Sequence, residues 1–340
     1  MARRPQPIDI PMNLKDQLHL QALVMESLRA WMRDHGFLET FHPEITRVTG
    51  SCETIANIFV LQERELLSLR QTVQLLMEEL LIRSQLPRMF ASGRSFRREA
   101  RQDGRHLQDF ELFEWEALDI DLAKLVQYNR ELIEQVIKDV LRSNILERDR
   151  QRVLYYWWDL WHDERVPHVI TYERAIEVLR STHLFKVHDE TTRELRLIQW
   201  GDDLNSNAER LLTQDFGILQ VTHYPEQIKF FNMERSRDQK SHRGCVECVD
   251  MLLPYAGETI GGSAREYEHA ILCERLYDSL MLKHLKELNR RRGGTEEEVE
   301  GAFQSYLGLF QDTRYPRAGA GLGLGRLFQF LVASPVIIAF

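Results

Sequence analysis

The fold is decided by the segment Phe96-Arg-Arg-Glu-Ala-Arg-Gln-Asp-Gly-Arg-His-Leu-Gln-Asp-Phe-Glu-Leu-Phe-Glu-Trp-Glu116. Cations, acids and aromatic residues alternate in it, which predicts two strands, Met89 to Phe96 and Leu107 to Ile120, joined by a charged loop. Residues two apart on a strand share a face, so Glu114 shares one with Glu116. From the residues alone, this pattern is typical of a solvent-exposed hairpin with surface ion pairs.

The sequence on either side of this hairpin alternates helical and extended patterns. Short extended runs are predicted at Phe37 to Ile45 and Ile58 to Leu61, and again after Ile218. Helical periodicity occurs in four stretches: Asn13 to Arg33, Glu65 to Gln85, Leu122 to Leu146 and His269 to Arg292. Strands joined mostly by loops and hairpins, with helices gathered elsewhere, indicate an α+β fold rather than a doubly wound sheet.

Composition narrows the class of protein. The 340 residues are 43% apolar and 28% charged, which is typical of a folded chain built around one large domain. The net charge of −8 argues against a broad phosphate-binding surface. The most apolar stretch, Leu327 to Phe340, is too short to cross a bilayer, and the first residues lack the apolar core of a secretory signal. We therefore expect no membrane association. Four cysteines are too few for a disulfide framework, so we expect a cytoplasmic protein.

The charged hairpin resembles the second signature motif of class II aminoacyl-tRNA synthetases, specifically their aspartyl/asparaginyl branch. Only Asp103 and Asp109 depart from the motif. The resemblance implies that Arg97 holds the α-phosphate of ATP and a carboxylate together, as a catalytic residue that stabilises developing negative charge. It assigns the other positions as follows: Glu99 to the adenine amino group, Phe110 to the adenine ring, Arg105 and His106 to the β- and γ-phosphates, and Glu114 to the α-ammonium group of the amino acid.

Two further segments extend the resemblance. The run from Gly319 to Leu327 resembles the third class II motif, which implies that Arg326 is catalytic and meets the γ-phosphate and that Gly323 lines the ATP site. Gly325 stands where the family carries an acid, and Ala320 where it usually carries an aromatic residue, a change that we expect to enlarge the pocket. The segment from Asp250 to Glu266 looks more like the asparaginyl enzymes. It implies that Asp250 and Glu258 hold Mg²⁺, that Glu258 also contacts ATP, and that Gly262, Ser263 and Arg265 line the amino-acid pocket.

The helix near Gln74 separates the two enzymes of the branch. Aspartyl enzymes have a sequence similar to Gln-Leu-x-Lys there, whereas this chain has Gln74-Leu-Leu-Met-Glu78. Asparaginyl enzymes have a glutamate at the position of Glu78. A carboxylate beside the side chain of the ligand suits an amide and repels a carboxylate. The resemblance therefore implies that Gln74 and Glu78, together with Glu53 of an earlier loop, contact the amino acid.

The resemblance covers about residues 14 to 335. We predict an N-terminal tail at 1–13 and a catalytic domain at 14–340, built as an antiparallel β-sheet flanked by helices, with a helical insertion at about 122–182. The first motif of the family, here Phe37 to Ile45 with Pro43, forms a subunit interface, which implies a homodimer. Members of this branch carry an anticodon-binding OB-fold ahead of the domain. Because the sequence given starts almost at the first catalytic helix, we do not expect tRNA to be a partner.

These features predict an ATP- and Mg²⁺-dependent, AMP-forming ligase. Our first expectation is adenylation of aspartate, or a close analogue, followed by transfer to ammonia or a small amine. Three alternatives stay open. The chain could activate asparagine or an unusual amino acid, it could be a free-standing tRNA synthetase, or it could be a non-catalytic amino-acid sensor. Gly325 is the residue that keeps the last alternative open.

Overall fold

The structure is a computed structural model that describes residues 4–47, 58–61, 67–98, 107–189, 192, 194–312 and 314–337. Its strands are β1 (Leu38–Glu39), β2 (Ile45–Thr46), β3 (Ser68–Leu69), β4 (Arg88–Phe96), β5 (Asp109–Leu118), β6 (Val169–Thr171), β7 (Lys186–His188), β8 (Leu195–Leu197), β9 (Leu219–Thr222), β10 (Cys248–Leu253), β11 (Gly257–Ala264) and β12 (Arg317–Gly323). Its helices are α1 (Leu14–Asp34), α2 (Gln74–Ser84), α3 (Leu122–Ser143), α4 (Arg148–Trp161), α5 (Tyr172–Ser181), α6 (Ser206–Phe216), α7 (His269–Asp278), α8 (Leu280–Arg291), α9 (Glu296–Gly308) and α10 (Leu324–Leu331).

The centre of the fold is a mixed, mainly antiparallel sheet. In the described part of the chain it has eight strands, in the order β1-β4-β5-β12-β11-β10-β9-β6. The pairs β1–β4 and β6–β9 are parallel, and the other neighbours are antiparallel. The predicted antiparallel sheet flanked by helices is confirmed, and β6 and β1 add a parallel strand at each edge.

The charged hairpin forms the pair β4–β5, close to its predicted bounds. Phe96 pairs with Asp109 at the loop end, and the register then runs without a shift to Arg88 and Ala117. Phe113 and Trp115 of β5 are buried in the main apolar core. Because side chains alternate along a strand, Glu114 and Glu116 point to the opposite face. This alternation places two carboxylates on the face of the sheet that holds the site.

Helices α1, α3 and α10 cover the apolar face of the sheet. Their buried side chains belong to one core with those of β5, β10, β11 and β12. Helix α3 begins where the side chain of Asp121 accepts a hydrogen bond from the backbone N–H of Lys124, the usual N-cap arrangement. The predicted helical segment 122–182 also contains β6, which joins the main sheet beside β9. Its description as an insertion stays a prediction.

Two predicted helices have different bounds. The helix expected from Glu65 begins only at Gln74, because Ser68 and Leu69 form strand β3. The long helix expected from His269 to Arg292 is broken into α7 and α8 at Ser279, whose hydroxyl oxygen accepts a hydrogen bond from the N–H of Leu282. An N-cap inside the periodic stretch therefore starts a new helix.

The segment 4–13, within the expected tail, packs against the domain. The N–H of Ile8 donates to the carbonyl of Ala333 at 2.7 Å, and the hydroxyl of Tyr255 donates to the carbonyl of Pro5 at 3.0 Å. The side chain of Met12 is buried. These contacts tie the segment to the end of the domain. Among the described helices, none is both long and apolar enough to traverse a bilayer.

Candidate active site

A cavity of about 230 Å³ lies on the face of the sheet that carries Glu114 and Glu116. Its walls come from β5, β10, β11 and β12, from the start of α2 and from the start of α10. Many predicted site residues line it: Gln74, Arg97, Phe110, Glu114, Asp250, Glu258, Gly262, Arg265, Gly323 and Arg326. The fold therefore brings together residues from three separated sequence motifs. Glu53, Glu99, Arg105 and His106 lie outside the described residues.

One end of the cavity combines a guanidinium group with an aromatic ring. The guanidinium carbon of Arg97 lies 5.2 Å from the ring centre of Phe110, a cation–π distance. The backbone N–H of Arg97 donates to the carbonyl of Gln108 at 2.9 Å and so extends the β4–β5 pairing toward the loop. A cation beside an open aromatic face can take a phosphate and a nucleobase at neighbouring positions.

Asp250 and Glu258 come together in the wall of the same cavity. Asp250 on β10 pairs with Gly261 on β11. A Cβ atom at Gly261 would lie 2.6 Å from Oε1 of Glu258 and 3.7 Å from Oδ1 of Asp250, so both carboxylates lean over this glycine. The ammonium group of Lys229 lies 2.8 Å from Oδ2 of Asp250. Mg²⁺ usually takes one or two protein carboxylates together with phosphate oxygens and water, so this donor set fits the ion.

Arg326 and a buried acid, Glu209, lie beside the start of β11, which carries Glu258. Nη1 of Arg326 donates to the backbone carbonyl of Glu258. Glu209 of α6 is packed beneath, and a Cβ atom at Gly257 would lie 2.2 Å from its Oε2. Burial raises the pKa of Glu209 to about 8, although the charge of Arg326 opposes the shift. Sequence reasoning missed Glu209, because it lies outside the motifs that carry the resemblance.

Another part of the cavity wall presents Glu114 and Gln74. Through Gly321 and Gly261, Glu114 lies level with Asp250 across the sheet. Glu114 accepts hydrogen bonds from the hydroxyl of Thr72 and from the backbone N–H of Val73, at 3.2 Å for Oε2. Burial raises the pKa of Glu114, and these hydrogen bonds and the nearby arginines oppose the shift. An acceptor held in this way suits the α-ammonium group that the sequence assigned to it.

Next to Glu114 on β5, an ion pair between Arg265 and Glu116 forms the floor of the cavity. Nη2 of Arg265 lies 2.6 Å, and its Nε 3.1 Å, from Oε1 of Glu116, and both side chains are almost fully buried. Nη1 of Arg265 donates to the hydroxyl of Ser263 at 2.6 Å. Ser263 is fully buried and is absent from the cavity wall, so its predicted contact with the ligand is replaced by a contact with Arg265.

Glu116 reaches Arg265 by crossing a glycine. Gly319 of β12 pairs with Glu116, and strand β12 lies between β5 and β11. A Cβ atom at Gly319 would lie 2.1 Å from the carboxyl carbon of Glu116, so the crossing needs a residue without a side chain. Sequence reasoning did not select Glu116 as a site residue, although the alternation along β5 already placed it beside Glu114.

The structure corrects the prediction that Glu78 faces the ligand, because Glu78 is absent from the cavity wall. It is fully buried, and its oxygens accept hydrogen bonds from Arg317, Tyr306, Asn232 and Gln74. Its position one helical turn after Gln74 places it behind the cavity wall rather than in it. Among its partners, Gln74 lines the cavity.

Ala320 lies between the apolar core and the cavity. Its neighbours Gly319 and Gly321 oppose the two site glutamates, so alternation turns Ala320 to the other face. Its side chain belongs to the apolar core, and a Cβ atom at Gly262 would lie 2.6 Å from that of Ala320 and 3.1 Å from Leu125 of α3. Ala320 is nevertheless among the residues that line the cavity, so an enlarged pocket stays a prediction.

A mainly antiparallel sheet flanked by helices, with the residues of three separated motifs gathered in one cavity, matches the fold of a class II aminoacyl-tRNA synthetase catalytic domain. The profile of the family "tRNA synthetases class II (D, K and N)" matches residues 10–339. The chain belongs to this family, which confirms the resemblance drawn from the three motifs.

The relatives and solved structures favour the asparaginyl members. The chain is 30% identical over 321 residues to an asparagine–tRNA ligase of Thermococcus kodakarensis, covering 93% of this chain and 65% of that protein. It is 30% identical over 317 residues to that of Pyrococcus furiosus, covering 92% and 64%. The asparaginyl-tRNA synthetase of Pyrococcus horikoshii complexed with asparaginyl-adenylate superimposes with a TM-score of 0.72 and 25% identity, over 95% of this chain and 66% of that one. The chain thus spans just under two-thirds of the length of these relatives.

Proposed function

We propose that the protein activates asparagine with ATP, forming asparaginyl-adenylate and pyrophosphate. The observation that carries the proposal is the Arg265–Glu116 pair on the cavity floor, 2.6 Å apart at its shortest contact. An amide offers an oxygen that accepts and an NH₂ group that donates, so it can bond to a guanidinium and a carboxylate side by side. An aspartate side chain would bring a second carboxylate against Glu116, which is unfavourable.

The remaining residues would perform the activation by positioning and charge. Glu114 and Gln74 would hold the α-ammonium group and direct the α-carboxylate toward the end of the cavity that contains Arg97. Arg97 would bind the α-phosphate and stabilise the charge that develops when the carboxylate attacks and pyrophosphate leaves. Phe110 would stack on adenine and Arg326 would bind the γ-phosphate. When bound, Mg²⁺ would be held by Asp250 and Glu258 and would neutralise phosphate charge.

Amino-acid-dependent exchange of labelled pyrophosphate into ATP tests this proposal directly. We expect exchange with asparagine and little with aspartate. Equal exchange with aspartate would contradict the proposed role of the Arg265–Glu116 pair as the binding site for the side-chain amide. Mass spectrometry of the same mixtures tests our first expectation from the sequence, because it detects any asparagine formed from aspartate and ammonium. No exchange with any amino acid would favour the sensor.

The acceptor and the oligomeric state are also proposals. Because the relatives are named asparagine–tRNA ligases, tRNA is the first acceptor to test, by acylation with the purified protein. A dimer is supported by three exposed apolar side chains in the first motif, with exposed fractions of 51% for Leu38, 89% for Phe41 and 51% for Ile45. We expect Phe41→Ser to shift the mass in solution from dimer to monomer, and an unchanged mass would argue against this interface.

A further inference from the structure

The loop that follows β9 places a lysine side chain in the cavity wall, and the activation proposed above gives it no role. Lys229 follows directly after a short 3₁₀ turn, Glu226–Ile228. It lines the cavity, although its side chain is only 7% exposed. Its Nζ lies 2.8 Å from Oδ2 of Asp250 and 4.2 Å from the ring centre of Tyr224. A carboxylate and an aromatic face both attract a cation, so the ammonium group is held between them.

The loop that carries Lys229 is fastened by Arg275 of α7. Nη2 of Arg275 donates to the carbonyl of Phe230 at 2.9 Å and to that of Glu226 at 3.4 Å. Nη1 donates to the carbonyl of Met233. One guanidinium group therefore binds carbonyls on both sides of Lys229. Because its backbone is tied in this way, the position of the ammonium group is set by the fold.

Asp250 offers its two oxygens to different neighbours. Oδ2 is bonded to Lys229, whereas Oδ1 lies on the side of Gly261, where Oε1 of Glu258 also approaches. Oε2 of Glu258 in turn lies 4.0 Å from Nη1 of Arg326. In order of contact, the four charged groups are a cation, two acids and a second cation. The two carboxylates assigned to Mg²⁺ are therefore flanked by Lys229 on one side and by Arg326 on the other, and the formal charges cancel.

Lys229 and Arg97 lie on opposite sides of the cavity. Arg97 continues strand β4 beside β5, whereas Lys229 is bonded to Asp250 of β10, and strands β12 and β11 lie between them. Both side chains line the cavity. At the level of Asp250 the intervening positions are glycines, Gly321 and Gly261. A substrate that lies across these two strands therefore has a cation on each side.

We propose that Lys229 is a further catalytic residue, which binds the reacting carboxylate and the α-phosphate from the side opposite Arg97. In the proposed activation Glu114 holds the α-ammonium group of the amino acid, and Glu114 lies level with Asp250 across the sheet. The carboxylate is thus directed between the two cations. Its oxygen forms a bond to the α-phosphorus, the bond to pyrophosphate breaks, and the ammonium group stabilises the negative charge that develops. The inference rests on the proposed activation of asparagine and adds a residue to it.

An ammonium group in this position has two opposing effects. It attracts the anionic reactants, but it repels a divalent cation held by Asp250 and Glu258. Loss of its charge should therefore slow the activation and tighten the binding of the metal ion. A merely structural role for Lys229 gives the opposite sign for the metal, because an Asp250 that has moved is a poorer ligand.

The test uses the intact chain and three variants, Lys229→Met, Lys229→Gln and Lys229→Arg. Binding of Mn²⁺ alone is measured by electron paramagnetic resonance, and kcat and KM for asparagine are measured by pyrophosphate exchange. We expect the Met and Gln variants to lower kcat about a hundredfold and to lower the dissociation constant of Mn²⁺ about tenfold. Lys229→Arg keeps the charge, so kcat should stay within about tenfold and Mn²⁺ affinity within about threefold of the parent. Lys229→Gln keeps a donor to Asp250 and still reports if Lys229→Met fails to fold.

Two further variants serve as controls. Asp250→Asn should abolish the Mn²⁺ signal, which assigns the signal to this site. Lys240→Met removes the next lysine along the chain, which is exposed and does not line the cavity. Because an exposed charge is screened by solvent and salt, neither kcat nor Mn²⁺ affinity should change by more than about threefold. A response equal to that of Lys229→Met would show a general effect of net charge and would overturn the inference.

The outcomes separate the two proposals. A parent that activates asparagine, together with an unchanged kcat in Lys229→Met and Lys229→Gln, overturns this inference alone. Weaker Mn²⁺ binding in both variants, or Mn²⁺ binding that survives Asp250→Asn, does the same. A parent that exchanges no pyrophosphate with asparagine or any other amino acid overturns the proposed function, and the catalytic role of Lys229 with it.

Discussion

Gly319→Ala tests the crossing of Glu116 over strand β12. The added Cβ atom would lie 2.1 Å from the carboxyl carbon of Glu116 and 2.3 and 2.4 Å from its oxygens. Ordinary contact for such an atom begins near 3.4 Å, so the carboxylate must retreat by about 1.3 Å (3.4 minus 2.1). Because the side chain reaches Arg265 only by passing over this position, the retreat breaks the contacts of 2.6 and 3.1 Å.

The size of the effect follows from the bonds that are lost. A hydrogen bond to a charged group contributes about 1.5–3 kcal/mol, and here two such bonds between buried partners are broken. We expect a loss of about 3 kcal/mol in transition-state stabilisation, which corresponds to about a hundredfold fall in kcat/KM for asparagine. The free energy of unfolding should fall by a similar amount, because Arg265 is left buried without its partner.

Gly321→Ala on the same strand is the matched control. Gly321 pairs with Glu114 as Gly319 pairs with Glu116, but its added Cβ atom would lie 3.5 Å from Cγ of Glu114, an ordinary contact. Asparagine-dependent pyrophosphate exchange and chemical denaturation are measured for both variants. Full stability and an unchanged kcat/KM for asparagine in Gly319→Ala would refute the reasoning. An equal loss of stability in Gly321→Ala would also refute it; because Gly321 lines the cavity, this variant is the control for stability.

Three further predictions address other parts of the molecule. Arg97→Ala should lower asparagine-dependent pyrophosphate exchange about a hundredfold or more, because a charge that stabilises the transition state is lost. Arg98→Ala is the control, because the side chain of Arg98 is exposed. Retained turnover in Arg97→Ala would contradict the role assigned to Arg97. Burial raises the pKa of Glu116 to about 7, so below that pH this carboxyl is protonated, loses its charge interaction with Arg265 and is a weaker acceptor for the NH₂ group of an amide. The KM for asparagine should therefore fall up to about tenfold from pH 6 to pH 8, and a KM that stays constant over this range would argue against Glu116. Gly301→Ala in α9, where the new methyl group meets no atom within 4 Å, should raise the free energy of unfolding by about 0.5–1 kcal/mol without changing exchange.

The elements that sequence could predict are those in which local pattern and tertiary structure agree. The hairpin β4–β5 was predicted to within two residues because alternation, a charged loop and flanking apolar residues coincide. The prediction of one long helix from His269 was wrong in one respect. The apolar periodicity continues through Ser279, but the side chain of Ser279 caps a new helix. Periodicity identifies which residues face the core, but it does not show where the backbone changes direction.

The site was predictable where one strand presents its side chains directly to the cavity. Arg97, Phe110 and Glu114 lie on or beside the hairpin, and their roles follow from the motif and from the face that they share. Glu209 could not be found in this way, because its importance depends on the packing of α6 beneath β11. Nothing in the local sequence of α6 indicates that a glutamate there is buried beneath Gly257.

The pairing of Glu78 shows a more general limit. The motif supplied the identity of the residue, and from that identity we expected a carboxylate beside the ligand. Its partner Arg317 is 239 positions away in sequence, and only the folded distances decide that Arg317 takes Glu78 while Arg265 takes Glu116. A chain with a glutamate at position 78 and a neutral residue at 317 would have to share Arg265 between two carboxylates. The charge at position 78 therefore has to be interpreted together with the charge at position 317.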